Sequence, residues 1–335
     1  MPCELEVDDV KTFAGLTLYT KRGSSCIKQT AVYRPPNFSK TKKPSVVLWL
    51  HGYYVPNHHA LFRSDRARVR EQVLASNKDV ILIAPFLGYK YGLGKDEGTY
   101  NGGDLAAAKW GERYLDEVLL ALARLDDPTA KRPLDIQNLV IACHSAGGSS
   151  MRNLVGTLGK YQANLKECWG FDCLYGASAT PDDAVFWATW ATGKDGRPLY
   201  IVYGPSTLRQ SLKLDLIARG IATLEGNKAV PPGPKISNVQ VSIAHYETFM
   251  AFGQAVKVGN LEAVVDDLIT RPPPGSKPGA KPAKPKDGDF VRVAAENLSA
   301  NFVFVEYNAK TGTGDIHYFI ARAFFLSRLR AANFL

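Results

Sequence analysis

The fold of this chain is decided by the stretch Leu139-Val-Ile-Ala-Cys-His-Ser-Ala-Gly-Gly148. An apolar run typical of a strand buried on both faces leads into a turn of small residues, and a helical pattern follows. A serine at such a turn is held on a tight bend at the end of a sheet, where its Oγ projects outward and the next backbone N–H can donate to an anion. The stretch therefore predicts a strand, a turn and a helix, with Ser145 as the candidate nucleophile.

Apolar runs and helical patterns alternate on both sides of this stretch. The predicted strands cover residues 16–19, 30–33, 45–50, 80–84, 138–143, 168–172 and 199–203. The predicted helices cover residues 63–75, 104–125, 149–158 and 182–192, and Asp104 is the expected N-cap of the second one. Alternation of this kind predicts an α/β protein with a mostly parallel central sheet and helices on both faces.

The residues around the serine resemble a known motif. Cys143-His144-Ser145-Ala146-Gly147 resembles the G-x-S-x-G elbow of the α/β-hydrolases, with Cys143 in place of the first glycine. The run 46–53, which ends in His51-Gly52-Tyr53, is similar to the strand ending in His-Gly that precedes the elbow in that family. The resemblance implies an α/β-hydrolase fold and an oxyanion hole formed by the backbone N–H groups of Tyr53 and Ala146.

A serine nucleophile needs a histidine that takes its proton and a carboxylate that fixes the imidazole tautomer. The resemblance places the acid after the strand 199–203, but the segment 204–209 contains no carboxylate. Asp172, at the end of the preceding strand, matches the arrangement of the pancreatic-type lipases and is the favoured acid, with Asp182 or Asp183 as alternatives. The short interval between Asp172 and Leu199 leaves no room for a large cap over the site.

Two histidines compete for the role of base. His317 follows a predicted strand at 302–307 and a glycine-rich loop, and a predicted helix at 318–330 comes directly after it. This order resembles the end of an α/β-hydrolase domain and favours His317. His245 is the alternative, because its distance from the serine suits a compact hydrolase, although it directly follows a strand. His144, inside the elbow, is expected to pack beside the nucleophile.

The amino-acid composition changes sharply in the C-terminal part of the chain. Residues 271–286 contain six prolines and five basic residues, which predicts a flexible Pro/Lys-rich insertion at 271–288 within a single domain of 1–335. Residues 289–335 are expected to rejoin the sheet through a last strand and helix. Residues 271–286 supply five of the nine excess positive charges and contain no acid, so the net charge gives no reason to expect a nucleic-acid partner.

The composition and the cysteine pattern indicate which class of protein the chain belongs to and which cofactors to expect. The 45% hydrophobic and 22% charged content is typical of a globular protein, and no apolar run is long enough to cross a bilayer. Five cysteines without a CxxC pair predict reduced thiols, no zinc site and a cytoplasmic location, with secretion left open if a signal peptide was removed. The absence of a Walker loop and of a dinucleotide fingerprint predicts no cofactor, and no metal is expected. The oligomeric state is left open.

Aromatic residues and two further histidines occur near the predicted site residues. Phe186, Trp187 and Trp190 are expected to form either an apolar wall of the site or a buried helix face. His58 and His59 are expected in a solvated loop.

The leading functional hypothesis is a serine hydrolase that cleaves carboxylic esters through an acyl-enzyme intermediate. The absence of a large cap favours an open cleft, which suits small-molecule or extended and polymeric esters. A peptidase or amidase with the same triad is the first alternative. A non-catalytic binding protein on the same scaffold is the second, since fold alone does not determine activity.

Overall fold

The computed structural model describes the chain in twelve segments. They are residues 5–7, 15–20, 29–40, 43–63, 67–89, 100–176, 182–203, 207–220, 223–225, 228–230, 234–243 and 316–335. The chain divides into two compact units, of which the first comprises residues 1–169 and 325–335 and the second residues 170–324. The candidate base His245, the insertion 271–288 and the predicted strand 302–307 lie outside the described residues.

The first unit contains a sheet whose strands alternate with helices from β4 onward. Its strands are β1 (Leu5–Val7), β2 (Leu16–Thr20), β3 (Thr30–Arg34), β4 (Ser45–Leu50), β5 (Val80–Pro85), β6 (Asn138–His144) and β7 (Leu165–Phe171), of which β7 continues into the second unit. Its helices are α1 (Ala60–Arg63), α2 (Val69–Ser76), α3 (Trp110–Asp126) and α4 (Gly147–Leu154), with 3-10 turns at Gly103–Ala106 and Gly159–Asn164.

Strand order in this unit is β1-β2-β3-β5-β4-β6-β7. The first strands pair antiparallel, whereas β4 pairs parallel with both β5 and β6. Every residue of β4, β5 and β6 is buried, which explains why these strands have nearly continuous apolar sequences. Leu50 pairs with Cys143, so the turns after β4 and β6 begin at the same edge of the sheet.

The second unit contains the remaining elements. They are α5 (Asp183–Thr192), β8 (Leu199–Tyr203), α6 (Leu208–Ala218), β9 (Thr223–Glu225), β10 (Lys228–Val230), β11 (Val239–Ile243) and the start of α7 (Ile316–Ala331). Strands β8 and β11 pair parallel, and β9 and β10 form an antiparallel hairpin. Just after β7, the backbone N–H of Asp172 donates to the Val202 carbonyl at 2.7 Å.

The last residues of the chain pack within the first unit. Phe325 meets Trp49 and Trp169 with ring centroids 5.2 and 6.0 Å apart. Arg328 donates through Nε to the buried Glu167 carboxylate at 3.0 Å, and the Asn138 side chain donates to the Phe334 carbonyl at 2.6 Å. No helix within the described segments is both long and apolar enough to cross a membrane.

The helix boundaries differ most from the sequence predictions. The predicted helix 104–125 is a 3-10 turn at 103–106 followed by α3, and Asp104 is not its N-cap. The reason is that Lys109 has a φ of 59°, a left-handed conformation that interrupts a helix and starts a new one. For the same reason the predicted helix 63–75 begins only at Val69, after Arg68 with a φ of 50°. The predicted helix 149–158 begins earlier and ends earlier, at Gly147–Leu154.

Candidate active site

Ser145 occupies the turn between β6 and α4. Its φ of 58° lies in the left-handed region, which is uncommon for a residue with a side chain and is characteristic of strained functional turns. The turn is closed by the Gly148 N–H, which donates to the Ser145 carbonyl at 3.0 Å. A Cβ atom at Gly147 would overlap the backbone oxygen of Leu50, so only glycine fits where β4 passes the start of α4. The predicted strand, turn and helix are therefore present at these residues.

The turn that follows β4 lies directly against this serine. A Cβ atom at Gly52 would lie 2.7 Å from Ser145 Cβ and 3.0 Å from its Oγ. The absence of a side chain at Gly52 thus allows the backbone to approach the hydroxyl. Tyr53 and Ala146, whose N–H groups are the predicted oxyanion donors, are the next residues along their respective turns.

His51 holds this second turn in place. Its ring is buried, with Nδ1 2.6 Å from the Gly52 carbonyl and Nε2 2.8 Å from the Leu87 N–H. Because the N–H must donate to Nε2, Nδ1 carries the ring proton and donates to the carbonyl. Burial lowers the pKa of His51 to about 4, against the weaker opposing effect of the Gly52 hydrogen bond. His51 is therefore a neutral positioning group for the backbone beside Ser145.

Tyrosines surround the same turn. The Tyr100 hydroxyl donates to the His51 carbonyl at 3.0 Å and lies 3.0 Å from Ser150 Oγ. The Tyr53 ring packs edge-on against Tyr100 with centroids 4.8 Å apart, while 39% of Tyr53 remains exposed. Tyr54 is similarly exposed, so the turn presents aromatic surface to solvent beside the predicted oxyanion donors.

In the second unit, the structure brings His317 and Asp172 together. His317 Nδ1 lies 2.6 Å from Asp172 Oδ2, and the aspartate is fully buried while the imidazole is partly exposed. Nδ1 then carries the proton that it donates to the carboxylate, and Nε2 is the acceptor nitrogen of the neutral ring. His317 lies in the first turn of α7, and not in a loop before the helix as the sequence predicted.

Two neighbours of this pair were not identified from the sequence. The Thr207 hydroxyl donates to Asp172 Oδ1, and the Tyr175 hydroxyl lies 3.4 Å from His317 Nε2. Thr207 comes just after β8, where the family resemblance implies an acid. The segment after β8 therefore supplies a hydroxyl that supports the carboxylate of the preceding strand, a role for which the sequence carried no signal.

The alternative acids have other partners. Asp182 caps α5 by accepting from the Ala184 N–H at 2.9 Å, and it pairs with Lys213 Nζ at 2.6 Å. Burial would raise the pKa of Asp182, but the hydrogen bond and charge of Lys213 outweigh it and lower the pKa. Asp183 accepts from the Gly176 N–H at 2.9 Å. Both carboxylates thus stabilise the start of α5.

Several other residues singled out from the sequence are buried in the protein interior or packed against neighbouring side chains. Trp187 is fully buried whereas Phe186 and Trp190 are half-buried, and His144 is buried at the end of β6 beside the elbow. Cys143, Cys168 and Cys173 are buried free thiols, as expected, and burial raises the pKa of Cys168. The expectation of a solvated loop is wrong for His58 and His59, which are half-buried against Tyr19.

Comparison with known proteins gives structural neighbours only. No protein-family model and no curated protein sequence matches the chain. An S-formylglutathione hydrolase from Agrobacterium tumefaciens is 15% identical with a TM-score of 0.44, over 72% of this chain and 90% of that chain. The feruloyl esterase module from Clostridium thermocellum is 12% identical with a TM-score of 0.37, over 61% and 73%. Esterase B from Lactobacillus rhamnosis is 13% identical with a TM-score of 0.36, over 65% and 71%.

Proposed function

We propose that this protein is a serine hydrolase that cleaves carboxylic esters, because its strained serine turn at the end of β6 resembles the nucleophile elbow of the α/β-hydrolases. Ser145 is the nucleophile, His317 the base and Asp172 the acid, and the N–H groups of Tyr53 and Ala146 form the oxyanion hole. The observation that carries the proposal is the left-handed Ser145 with Gly52 against its Cβ and Oγ. The His317–Asp172 pair supports it, since the carboxylate holds Nδ1 of the histidine and leaves Nε2 as the acceptor nitrogen.

The reaction then follows from these groups. His317 Nε2 takes the Ser145 hydroxyl proton as Oγ bonds to the ester carbonyl carbon, and the carbonyl electron pair moves to the oxygen that the two N–H groups stabilise. When this pair returns, the C–O bond to the alcohol breaks and the alcohol leaves with the proton from Nε2. Water, deprotonated by Nε2, attacks the acyl-enzyme in the same way and releases the carboxylic acid and Ser145.

The surroundings of the serine favour an apolar or aromatic ester over a compact charged one. Tyr53 and Tyr54 present ring surface beside the oxyanion donors, and such rings bind acyl or aryl groups through apolar contact. Between β7 and β8 the described residues form a single ten-residue helix, α5, which agrees with an uncapped site. We propose an open cleft that accepts small-molecule or extended esters.

Turnover of short p-nitrophenyl esters tests the proposal and assigns the base. Ser145→Ala and His317→Ala are expected to lower kcat at least about 10³-fold, because each removes a member of the triad. His245→Ala is the matched control and is expected to keep wild-type turnover. Full activity in His317→Ala with loss in His245→Ala would contradict the assignment of the base.

Parallel assays with p-nitroanilides separate the remaining hypotheses. Faster cleavage of the anilide than of the ester would favour a peptidase or amidase. No cleavage of either substrate by the wild-type chain would favour a binding protein on this scaffold.

A further inference from the structure

A cluster of metal-ligating side chains lies in the first unit, apart from Ser145. Glu6, His58 and His59 each offer one ligand atom, and these atoms all lie within 4.8 Å of one another. Glu6 belongs to β1, whereas the two histidines immediately precede α1, in the segment that continues from the His51–Tyr53 turn. The cluster therefore joins two parts of the chain that are far apart in sequence.

The cluster is packed around the ring of Tyr19. The His58 and His59 rings lie 5.4 and 4.8 Å from the Tyr19 ring, both roughly edge-on, and 3.9 Å from each other. Glu6 is the cross-strand partner of Tyr19 in the β1–β2 pair. The Tyr19 hydroxyl also donates to the His59 carbonyl at 3.4 Å. These contacts restrict the side chains before any ion binds, which lowers the entropic cost of forming a site.

The chemical state of the donors suits a metal ion. The ligand atoms that the three side chains offer are two imidazole nitrogens and one carboxylate oxygen, which are donor types that first-row metal ions bind. Among the described residues, His59 Nδ1 is a buried nitrogen that makes no hydrogen bond. An ion would occupy that nitrogen and bring a positive charge next to the half-buried Glu6 carboxylate.

We propose that Glu6, His58 and His59 bind a divalent first-row transition-metal ion, with Zn(II) as the probe. Two imidazoles and one carboxylate are a ligand set that such ions accept, with a solvent molecule in the fourth position. Ligand atoms around a tetrahedral Zn(II) at 2.0–2.1 Å lie roughly 3.3 Å apart, so side-chain shifts of about 1 Å would close the site. The ion would tie β1 to the segment that carries Tyr53.

Metal content of the full-length chain tests this site. After chelation and dialysis against Zn(II), the wild type is expected to retain one Zn(II) per chain, and bound Co(II) to give the visible absorption of a four- or five-coordinate ion. Glu6→Gln and His59→Ala are expected to weaken binding more than about tenfold, since each removes a ligand. Glu6→Gln preserves size and shape, so it reports on ligation even where His59→Ala fails to fold.

Control variants separate this site from the proposed activity. His317→Ala and Ser145→Ala are expected to bind Zn(II) like the wild type while losing ester turnover. Asp195→Asn removes an exposed carboxylate outside the cluster and tests whether the loss of any surface carboxylate weakens Zn(II) binding. A wild type that binds no stoichiometric Zn(II), or a Glu6→Gln variant that binds it as tightly as the wild type, would overturn the proposed site. Neither result would bear on Ser145.

Discussion

The Asp172 carboxylate is contacted on both of its oxygens, by His317 on one side and by Thr207 on the other. The aspartate is fully buried and has a φ of 47°, so its position is maintained by these partners and by the backbone bond to Val202. A buried charged oxygen that loses its donor keeps its desolvation cost. The hydroxyl of Thr207 is therefore expected to matter for both stability and catalysis.

Thr207→Val removes this donor with little change in shape. We expect the free energy of unfolding to fall by about 1.5–3 kcal/mol, as for a hydrogen bond to a charged group. We also expect kcat for a p-nitrophenyl ester to fall while KM stays near the wild-type value, because Asp172 acts through the base. Thr207→Ser retains the hydroxyl and is the control. Wild-type stability and kcat in Thr207→Val would contradict a supporting role for this residue.

His51 makes stability depend on pH in a defined direction. The pKa of His51 is about 4 in the folded state against the ordinary histidine value of 6.5, so the unfolded chain binds the extra proton. The stabilisation is complete above pH 6.5 and is lost as the pH falls toward 4, by about 3 kcal/mol in total. His58, with a pKa also lowered to about 4, acts in the same direction.

Urea unfolding at pH 7 and pH 4.5 measures this effect. His51→Asn is expected to reduce the difference between the two pH values, because the variant lacks the titrating ring. An unchanged difference would show that His51 is protonated equally in both states.

At the residue scale, chain order was enough to pair two of the candidate site residues, whose roles stay predictions. Asp172 was found because it ends a strand, and His317 because it precedes the last helix; the structure places the two side chains in contact. Thr207 and Tyr175 could not be found this way, because their roles depend on side-chain positions across the second unit. The assignment of the full triad stays a prediction.

At the scale of elements, the crossing of β4 over the start of α4 requires glycine. Gly147→Ala would force its Cβ into the Leu50 carbonyl, and overpacking of this kind costs about 1–3 kcal/mol. We expect Gly147→Ala to lose stability in thermal unfolding and most ester turnover, since the shift would move Ser145. At Gly156 an added Cβ would meet nothing within 4 Å, so Gly156→Ala is the control and is expected to be neutral or slightly stabilising. Equal effects of the two substitutions would contradict this account of the elbow.

Strands were easier to predict than helix ends for a physical reason. The strands β4 and β8 have the predicted bounds, because nearly all residues of each run are both apolar and buried. Helix α3 begins late because the conformation of Lys109 is set by its tertiary surroundings, and lysine has no local preference that reveals it.

At the scale of the whole molecule, the two ends of the sequence contribute to the first unit. Phe325 packs on Trp49 and Trp169, and Gln72 Oε1 accepts from the Leu326 N–H at 2.8 Å. Phe325→Ala is expected to lower the free energy of unfolding by about 3–5 kcal/mol, as for a buried phenylalanine in a core. If urea unfolding shows a loss of stability in Phe325→Ala no larger than the roughly 0.5 kcal/mol of an exposed substitution, the chain end is not part of this core.

The insertion at 271–288 stays a prediction from composition. We propose that replacing it with a short Gly-Ser linker leaves ester turnover and thermal stability unchanged, because a proline- and lysine-rich segment buries little apolar surface. Loss of cooperative unfolding in this variant would show that the segment belongs to the folded domain.

The most direct test of the central claim is the position of a covalent adduct. The full-length chain is incubated with a fluorophosphonate probe, digested, and mapped by mass spectrometry. We predict a single stoichiometric adduct on Ser145, its absence in Ser145→Ala, and strongly reduced labelling in His317→Ala. Labelling that persists in Ser145→Ala, or a wild-type chain that is not labelled at all, would contradict the assignment of Ser145 as the nucleophile.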